Sequence, residues 1–141
     1  MNEPELQAVA AGLHKAAIRL LRTLRREDDG SGLTAPRLSA LSVIAFAGPR
    51  SLAELAAAEQ VKPPTMSRIV DALVADGLVT RDIPAEDRRS VRIAATEKGV
   101  RLMEEGRQRR VQALARRLDN LPDSELRALG RGAEIIERAL R

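Results

Sequence analysis

The chain has 141 residues, of which 44% are apolar, only 1% are aromatic and none is cysteine. This length suits one domain or one protomer of an intertwined dimer, and a core poor in aromatic side chains favours close-packed helices over a β-sandwich. The lack of cysteine excludes disulfides, thiolate metal sites and thiol redox sensing, whereas the net charge of +4 permits nucleic-acid binding without establishing it.

The first half of the chain predicts three helices. Leu6, Leu13 and Leu20 recur every seven residues and form one side of an amphipathic helix, which ends near the acidic, glycine-rich segment 27–32. A second helix is expected from a Thr34 cap to Ala47, before Gly48 and Pro49. Residues 51–54 read as a capping box that opens a short third helix, ending near Ala58.

A tight connection, residues 59–62, leads to a fourth helix, which we expect to begin at Pro64 because that residue disfavours a helical conformation at Pro63. Gly77 is expected to end this helix in a left-handed conformation. The apolar face of the helix repeats at i, i+3, i+4, i+7 and i+8 and consists of Met66, Ile69, Val70, Leu73 and Val74.

After Gly77 the apolar residues change from a helical period of 3.6 residues to a period of two residues, which predicts a two-stranded hairpin. Its strands are expected at residues 78–83 and 91–95, joined by the turn-forming segment 84–87. A long helix capped by Thr96 follows, and after Pro122 a last helix. Two short helices followed by a hairpin are the element order of a winged helix-turn-helix protein, which binds duplex DNA.

In that arrangement the fourth helix enters the major groove by its N-terminal end. Its predicted outer face carries Thr65, Ser67, Arg68 and Asp71. The hydroxyls and the guanidinium can donate hydrogen bonds to guanine or to phosphate oxygens, and the helix N-terminus adds partial positive charge. Lys62 and Pro64 stand at its entry, with Lys62 available for a phosphate. The alternative interpretation is an ordinary solvated helix face.

The hairpin tip carries Asp87, Arg88 and Arg89. Arg89 can enter a minor groove, where the negative potential is intensified, and Asp87 can orient it through a bidentate pair. The alternative is a solvated charged turn. The position of this tip directly after a helix-turn-helix favours the DNA interpretation.

The segment from Leu33 to Leu102 resembles the multiple antibiotic resistance regulator (MarR) family. The residues that carry the resemblance occur in the family's order and are Leu33-Thr34, Leu52-Ala53-Glu54-Leu55-Ala56, Val61, Asp71-Ala72-Leu73, Asp76-Gly77-Leu78-Val79-Thr80-Arg81, Asp87-Arg88-Arg89 and Thr96-Glu97-Lys98-Gly99. The resemblance implies a homodimer built from the terminal helices, which binds a short palindrome, usually as a repressor that a ligand releases. The sequence departs from the family pattern at Lys62-Pro63-Pro64, where a serine or similar cap is common.

The two ends of the chain carry apolar seams that one small protomer can hardly bury alone, so we expect a twofold dimer rather than intramolecular packing. The dimerisation residues predicted from these seams are Leu6, Leu13, Leu20, Leu126, Leu129, Ala133, Ile136 and Leu140. The predicted organisation is a dimerisation helix in 1–33, a winged helix-turn-helix lobe in 34–96 and dimerisation helices in 97–141.

His14 is the single histidine, and no catalytic motif surrounds it, so we expect neither a metal site, nor a cofactor, nor an enzyme. By the resemblance, an effector pocket would lie near His14, Arg19, Arg22 and Phe46, although these residues also read as ordinary surface and core positions. The start of the chain lacks the basic region of a signal peptide and no apolar run reaches the roughly 20 residues of a membrane span, which predicts a cytoplasmic protein.

The sequence therefore predicts a mainly α fold with a small β-wing. The expected function is that of a homodimeric regulator that binds a palindrome in double-stranded DNA and responds to a small-molecule effector. The alternative is a protein-interaction adaptor, which the nearly balanced charge of residues 34–96, with eight basic and seven acidic side chains, keeps open.

Overall fold

A computed structural model describes residues 1–83 and 91–141 of the chain. In chain order its elements are α1 (Glu3–Arg25), a 3-10 helix (Arg26–Ser31), α2 (Ala35–Ala47), α3 (Leu52–Ala58), α4 (Pro63–Ala75), β1 (Val79–Asp82), β2 (Arg92–Ala95), α5 (Glu97–Leu118) and α6 (Asp123–Ala139). The predicted mainly α fold with a two-stranded sheet is therefore confirmed.

The chain forms two compact units. The central unit comprises Arg25–Gln108, and the terminal unit comprises Met1–Leu24 with Arg109–Arg141. The central unit carries 13 basic and 13 acidic residues, while the terminal unit carries 11 and 7, so the net charge of +4 resides in the terminal unit.

The core of the central unit is aliphatic, as the composition predicts. Side chains from α2, α3, α4, both strands and α5 form one buried cluster, which includes Leu41, Leu55, Met66, Leu73 and Ile93. Burial at this density gives roughly 1.5–3 kcal/mol for each large aliphatic side chain, and it fixes α4 through its apolar face.

Capping residues and glycines explain most of the helix boundaries. Ser51 caps α3, because its side chain accepts a hydrogen bond from the Glu54 backbone N–H at 3.1 Å. Gly77, at φ +72°, ends α4 in the left-handed conformation that suits glycine, and the backbone N–H of Leu78 bonds to the Leu73 carbonyl across it.

Three local expectations are wrong in detail. Thr34 stands at the N-cap position of α2 but makes no capping hydrogen bond through its side chain. Helix α4 begins at Pro63, one residue earlier than expected, because a missing N–H and a fixed φ suit the first helical positions. Val74 is 36% exposed, because the buried stripe of α4 ends at Leu73.

Three strand segments meet in the central unit. Strands β1 and β2 pair antiparallel, with Arg81 opposite Ile93 and Asp82 opposite Arg92. Arg50 forms an isolated bridge with Ile93 on the other side of β2, with backbone hydrogen bonds of 3.1 and 2.8 Å. The segment just before α3 is thereby fixed to the base of the hairpin.

Candidate DNA-binding surface

Helices α3 and α4 pack together and are joined by a short turn, residues 59–62, in the arrangement of a helix-turn-helix. The turn is closed by a hydrogen bond from the Val61 N–H to the Ala56 carbonyl, at 3.0 Å. Within it, Gln60 adopts φ +55°, a left-handed conformation that usually favours glycine. The tight turn holds the start of α4 at a fixed angle to α3.

The start of α4 has an unusual backbone. Its first two residues are prolines and have no N–H, while the N–H groups of Thr65 and Met66 both donate to the Lys62 carbonyl, at 3.0 and 3.1 Å. A helix N-terminus binds anions through free N–H groups in its first turn, and these four positions offer none. An anion at this end of α4 would therefore be held by side chains, because the first turn of the helix offers no free backbone N–H.

The polar face of α4 lies on the surface. Thr65 and Arg68 are exposed, as are Lys62 and Pro64 at the helix start, whereas Ser67 is half-buried. On the opposite face, Met66, Val70 and Leu73 are completely buried. The helix is thus anchored by one face and presents its hydroxyl groups and one guanidinium on the other.

An ion pair joins α4 to the hairpin. The guanidinium of Arg81 on β1 donates to the carboxylate of Asp71 on α4, with both side chains partly exposed. This contact occupies the acidic group of the α4 surface, whose negative charge would otherwise oppose the approach of phosphate. It also links the helix to the first strand of the hairpin.

A second set of contacts holds the end of α4 against the start of α5. The Thr96 hydroxyl donates to the Gly77 carbonyl at 2.7 Å, and the Lys98 ammonium donates to the Asp76 carbonyl at 2.8 Å. The Thr96 oxygen also accepts from the Gly99 N–H, at 3.1 Å, which confirms Thr96 as the cap of α5. The carbonyl groups at the end of α4 are thereby satisfied.

The predicted tip residues Asp87, Arg88 and Arg89 lie outside the described residues. Strand β2 resumes at Arg92, and two arginines converge beside it. Arg50 and Arg92 each donate from Nη1 to the carbonyl of Pro49, at 3.2 and 3.3 Å. Neither arginine was predicted as a site residue, because 42 positions separate them in the chain and nothing in the local pattern connects them.

The predicted dimerisation seams lie on the surface of the single chain. Helices α1 and α6 contain no buried residue. Seven of the eight predicted residues are exposed, including Leu6, Leu13, Leu129 and Leu140, and Ile136 is partly buried. The terminal unit therefore presents large aliphatic side chains that the chain itself leaves uncovered.

The four predicted effector residues are also exposed. His14, Arg19 and Arg22 lie on α1 in the terminal unit, and Phe46 lies on α2 in the central unit with 55% of its surface exposed. An open cavity of about 720 Å³ lies along the first half of α5 and is lined by Val100, Arg101 and Glu104, among others. It does not include any of the four predicted residues.

Two features are absent from residues 1–83 and 91–141. Within that part of the chain, no cluster of three or more histidine, cysteine or carboxylate side chains is arranged to hold a metal ion. Over the same residues, no helix combines the length and apolar character required to cross a membrane.

An anchored α4 with a polar outer face, preceded by α3 and followed by an antiparallel hairpin, defines a winged helix-turn-helix protein of the DNA-binding class. The sequence profile of the MarR family matches residues 33–91. The chain belongs to the MarR family of transcriptional regulators, as its sequence motifs predicted.

Similar proteins extend this match over most of the chain. The uncharacterized HTH-type transcriptional regulator Mb0904 of Mycobacterium bovis is 34% identical over 128 residues, covering 91% of this chain and 90% of its own. A MarR family protein from Bacillus stearothermophilus superposes with a TM-score of 0.82 at 27% identity, covering 99% and 98% of the two chains.

A third similar protein has a bound small molecule. The structure of CouR from Rhodococcus jostii bound to p-coumaroyl-CoA is 26% identical, with a TM-score of 0.61 and coverage of 91% of this chain and 90% of that one. The relatives matched by sequence are named as regulators of transcription, and none of these names denotes an enzyme.

Proposed function

We propose that this protein is a homodimeric repressor that binds a palindromic operator in double-stranded DNA and is released by a small-molecule effector. The observation that carries the proposal is the division of α4 into two faces. Met66, Val70 and Leu73 on one face are completely buried, while Thr65 and Arg68 on the other face are exposed. A rigidly anchored helix with short hydroxyls and one guanidinium outward suits insertion into a major groove.

We assign the DNA contacts of each protomer as follows. Arg68 donates to guanine or to a phosphate, Thr65 and Ser67 contribute to base preference, and Lys62 binds a phosphate beside Pro64. At the hairpin tip, Arg89 enters the minor groove with Asp87 orienting it, and Arg88 contacts phosphates. Lys62 carries particular weight, because the two prolines remove N–H donors from the start of α4.

The exposed aliphatic faces of α1 and α6 support a homodimer. Leu6, Leu13 and Leu129 are 53%, 46% and 50% exposed, and further large aliphatic side chains are exposed on the same helices. An apolar surface of this extent on a monomer typically marks an interface, and a second copy covers both seams with one twofold axis. The same axis yields two copies of α4, which match the two halves of a palindrome.

The dimer is tested by Leu129→Glu, with Arg131→Gln as a control that makes the same change of one charge unit on the polar side of α6. A buried unpaired charge costs about 3–5 kcal/mol, and symmetry counts it twice, so we expect Leu129→Glu to prevent dimer formation at micromolar concentration. Arg131→Gln should remain dimeric. Light scattering that finds the unaltered protein monomeric would contradict the proposal.

The DNA contact is tested on duplexes selected from random sequence by the unaltered protein. Arg68→Ala should weaken binding by about 1–3 kcal/mol per half-site, and Thr65→Val should change base preference more than total affinity. Arg101→Ala, an exposed arginine on α5, is the control. Fluorescence anisotropy that shows equal affinity for Arg68→Ala and the unaltered protein would mean that α4 does not bind the DNA.

The effector part of the proposal rests on the relative bound to p-coumaroyl-CoA. We propose that a small molecule binds near His14, Arg19 and Arg22 in the terminal unit or near Phe46 in the central unit, and that it weakens operator binding. A compound library screened by release of labelled operator tests this directly. A released complex that is insensitive to His14→Ala and Phe46→Ala would show that the effector binds elsewhere.

A protein-interaction adaptor is the second candidate function. The central unit favours it in one respect, since its 13 basic and 13 acidic residues give no net attraction to DNA. Under this alternative, selection from random duplexes yields no enriched sequence, and binding of any duplex is no stronger than that of a neutral protein.

A further inference from the structure

The arginine pair beside Pro49 has an electrostatic feature that the fold does not require. Arg50 and Arg92 each give one hydrogen bond to the same carbonyl, at 3.2 and 3.3 Å. A guanidinium has five N–H groups, so each arginine retains most of its donors for another acceptor. The two guanidiniums repel each other, because both are positively charged and they share only one neutral acceptor. An anion in contact with both would stabilise the pair most.

Carboxylates in this region compensate the pair only in part. Among the described residues, Glu54 forms the one ion pair with either arginine, at 3.9 Å from Arg50 Nε, and its side chain is half exposed. Asp82 is the cross-strand neighbour of Arg92. A contact of 3.9 Å between exposed groups is weak and screened by salt, so the site remains attractive to a stronger anion.

The position of the pair indicates which anion. Arg50 lies directly before α3 and is bridged to β2 at Ile93, while Arg92 is the first residue of β2. In a winged helix-turn-helix protein the first helix of the motif crosses the DNA backbone, and the hairpin reaches the adjacent minor groove. Positively charged side chains between these two elements therefore face the sugar-phosphate backbone that separates the major groove from the minor groove.

The backbone at α4 gives this site a specific role. Because Pro63 and Pro64 have no N–H, the start of α4 lacks the free donors that would otherwise hold a phosphate. The central unit also has no net positive charge to attract DNA. Localised basic side chains must therefore provide the contacts to the DNA backbone that set the register of α4 in the groove.

We propose that Arg50 and Arg92 form a clamp for a backbone phosphate of the operator, between α3 and the wing. The inference rests on the proposed DNA-binding function and adds a contact to it that carries no base information. Pro49 fixes the two guanidiniums at one point through its carbonyl, so that less side-chain freedom is lost when the phosphate binds.

The experiment measures the salt dependence of binding to the selected duplex between 50 and 200 mM salt. Each lost phosphate contact reduces the slope of log K against log salt by about 0.9, so in a dimer the double variant Arg50→Gln/Arg92→Gln should reduce it by about 1.8, and each single variant should reduce it by less. Affinity at 0.1 M salt should fall on the order of 10- to 100-fold, equally for selected and scrambled duplexes. Arg101→Gln removes the same charge from α5 and should change neither quantity.

Two further measurements separate the clamp from other effects. Thermal melting of each variant tests folding, and Arg92→Lys, which retains the charge, should restore the salt slope even if the melting temperature falls. A slope unchanged in Arg50→Gln and Arg92→Gln, while Arg68→Ala still weakens binding, overturns the clamp alone. An equal change in Arg101→Gln also overturns it, because net charge would then suffice. If the unaltered protein binds no duplex, the clamp fails together with the proposed function.

Discussion

Gly99 offers a direct test of the packing between the end of α4 and the start of α5. It lies in the first turn of α5, where alanine is the better helix former by about 1 kcal/mol. A Cβ at this position would overlap the Leu78 carbonyl oxygen, and it would lie 3.1 Å from the Leu78 carbonyl carbon and 3.3 Å from Leu41 Cδ1. Helix propensity therefore predicts that Gly99→Ala raises the free energy of unfolding, whereas packing predicts that it lowers it.

The packing effect should be larger. The Leu78 carbonyl accepts a hydrogen bond from the Thr96 N–H at 3.0 Å, so its displacement costs that bond as well as the steric strain. An unsatisfied buried carbonyl costs about 1–3 kcal/mol and an overpacked core about 1–3 kcal/mol, which exceeds the gain in propensity. We expect Gly99→Ala to lower the free energy of unfolding by about 2 kcal/mol.

Gly12→Ala is the matched control, because nothing lies within 4 Å of a Cβ at Gly12 in the middle of α1. It should raise the free energy of unfolding by about 0.5–1 kcal/mol. Urea denaturation at one protein concentration measures both variants. Gly99→Ala should also weaken operator binding, since the Leu78 backbone N–H is hydrogen-bonded to the Leu73 carbonyl at the end of α4. Equal stabilisation by both substitutions would refute the packing argument.

Two more substitutions test the local backbone of the helix-turn-helix. Ser51→Ala should lower the free energy of unfolding by about 1 kcal/mol and Thr34→Ala by much less, because only Ser51 makes a capping hydrogen bond; equal losses in urea denaturation would contradict this assignment. Gln60→Gly should raise the melting temperature, because a left-handed non-glycine residue costs about 1–2 kcal/mol and the entropy cost of glycine is about 0.5–1 kcal/mol. A lower melting temperature would mean that contacts of the Gln60 side chain outweigh the strain.

The element order could be predicted because each boundary is marked within a few residues along the chain. Helix α3 begins after Ser51 and ends at Ala58 as expected, and Gly77 ends α4 in the predicted left-handed conformation. The change of period at residue 78 marked the hairpin in the same way. Signals of this kind act over one or two helical turns, so they are readable without knowledge of the fold.

The expectations for Thr34 and Val74 were wrong because they depend on features that short-range sequence signals do not specify. Whether Thr34 makes a capping bond depends on a side-chain orientation that residue type alone does not fix. Val74 has the right helical spacing for burial, but the packed surface ends at Leu73. Periodicity identifies the face of a helix, whereas the extent of the neighbouring elements decides how far along that face burial continues.

The sequence by itself determined the family, the order of elements and the apolar seams, because motif order and periodicity are properties of the chain. Only the tertiary structure brought Arg81 to Asp71 and Arg92 to Pro49, contacts between residues 10 and 43 positions apart. It also left the α1 and α6 seams exposed. These properties follow from how strands and helices pack in space, since electrostatic and hydrogen-bonded contacts require proximity that sequence spacing does not specify.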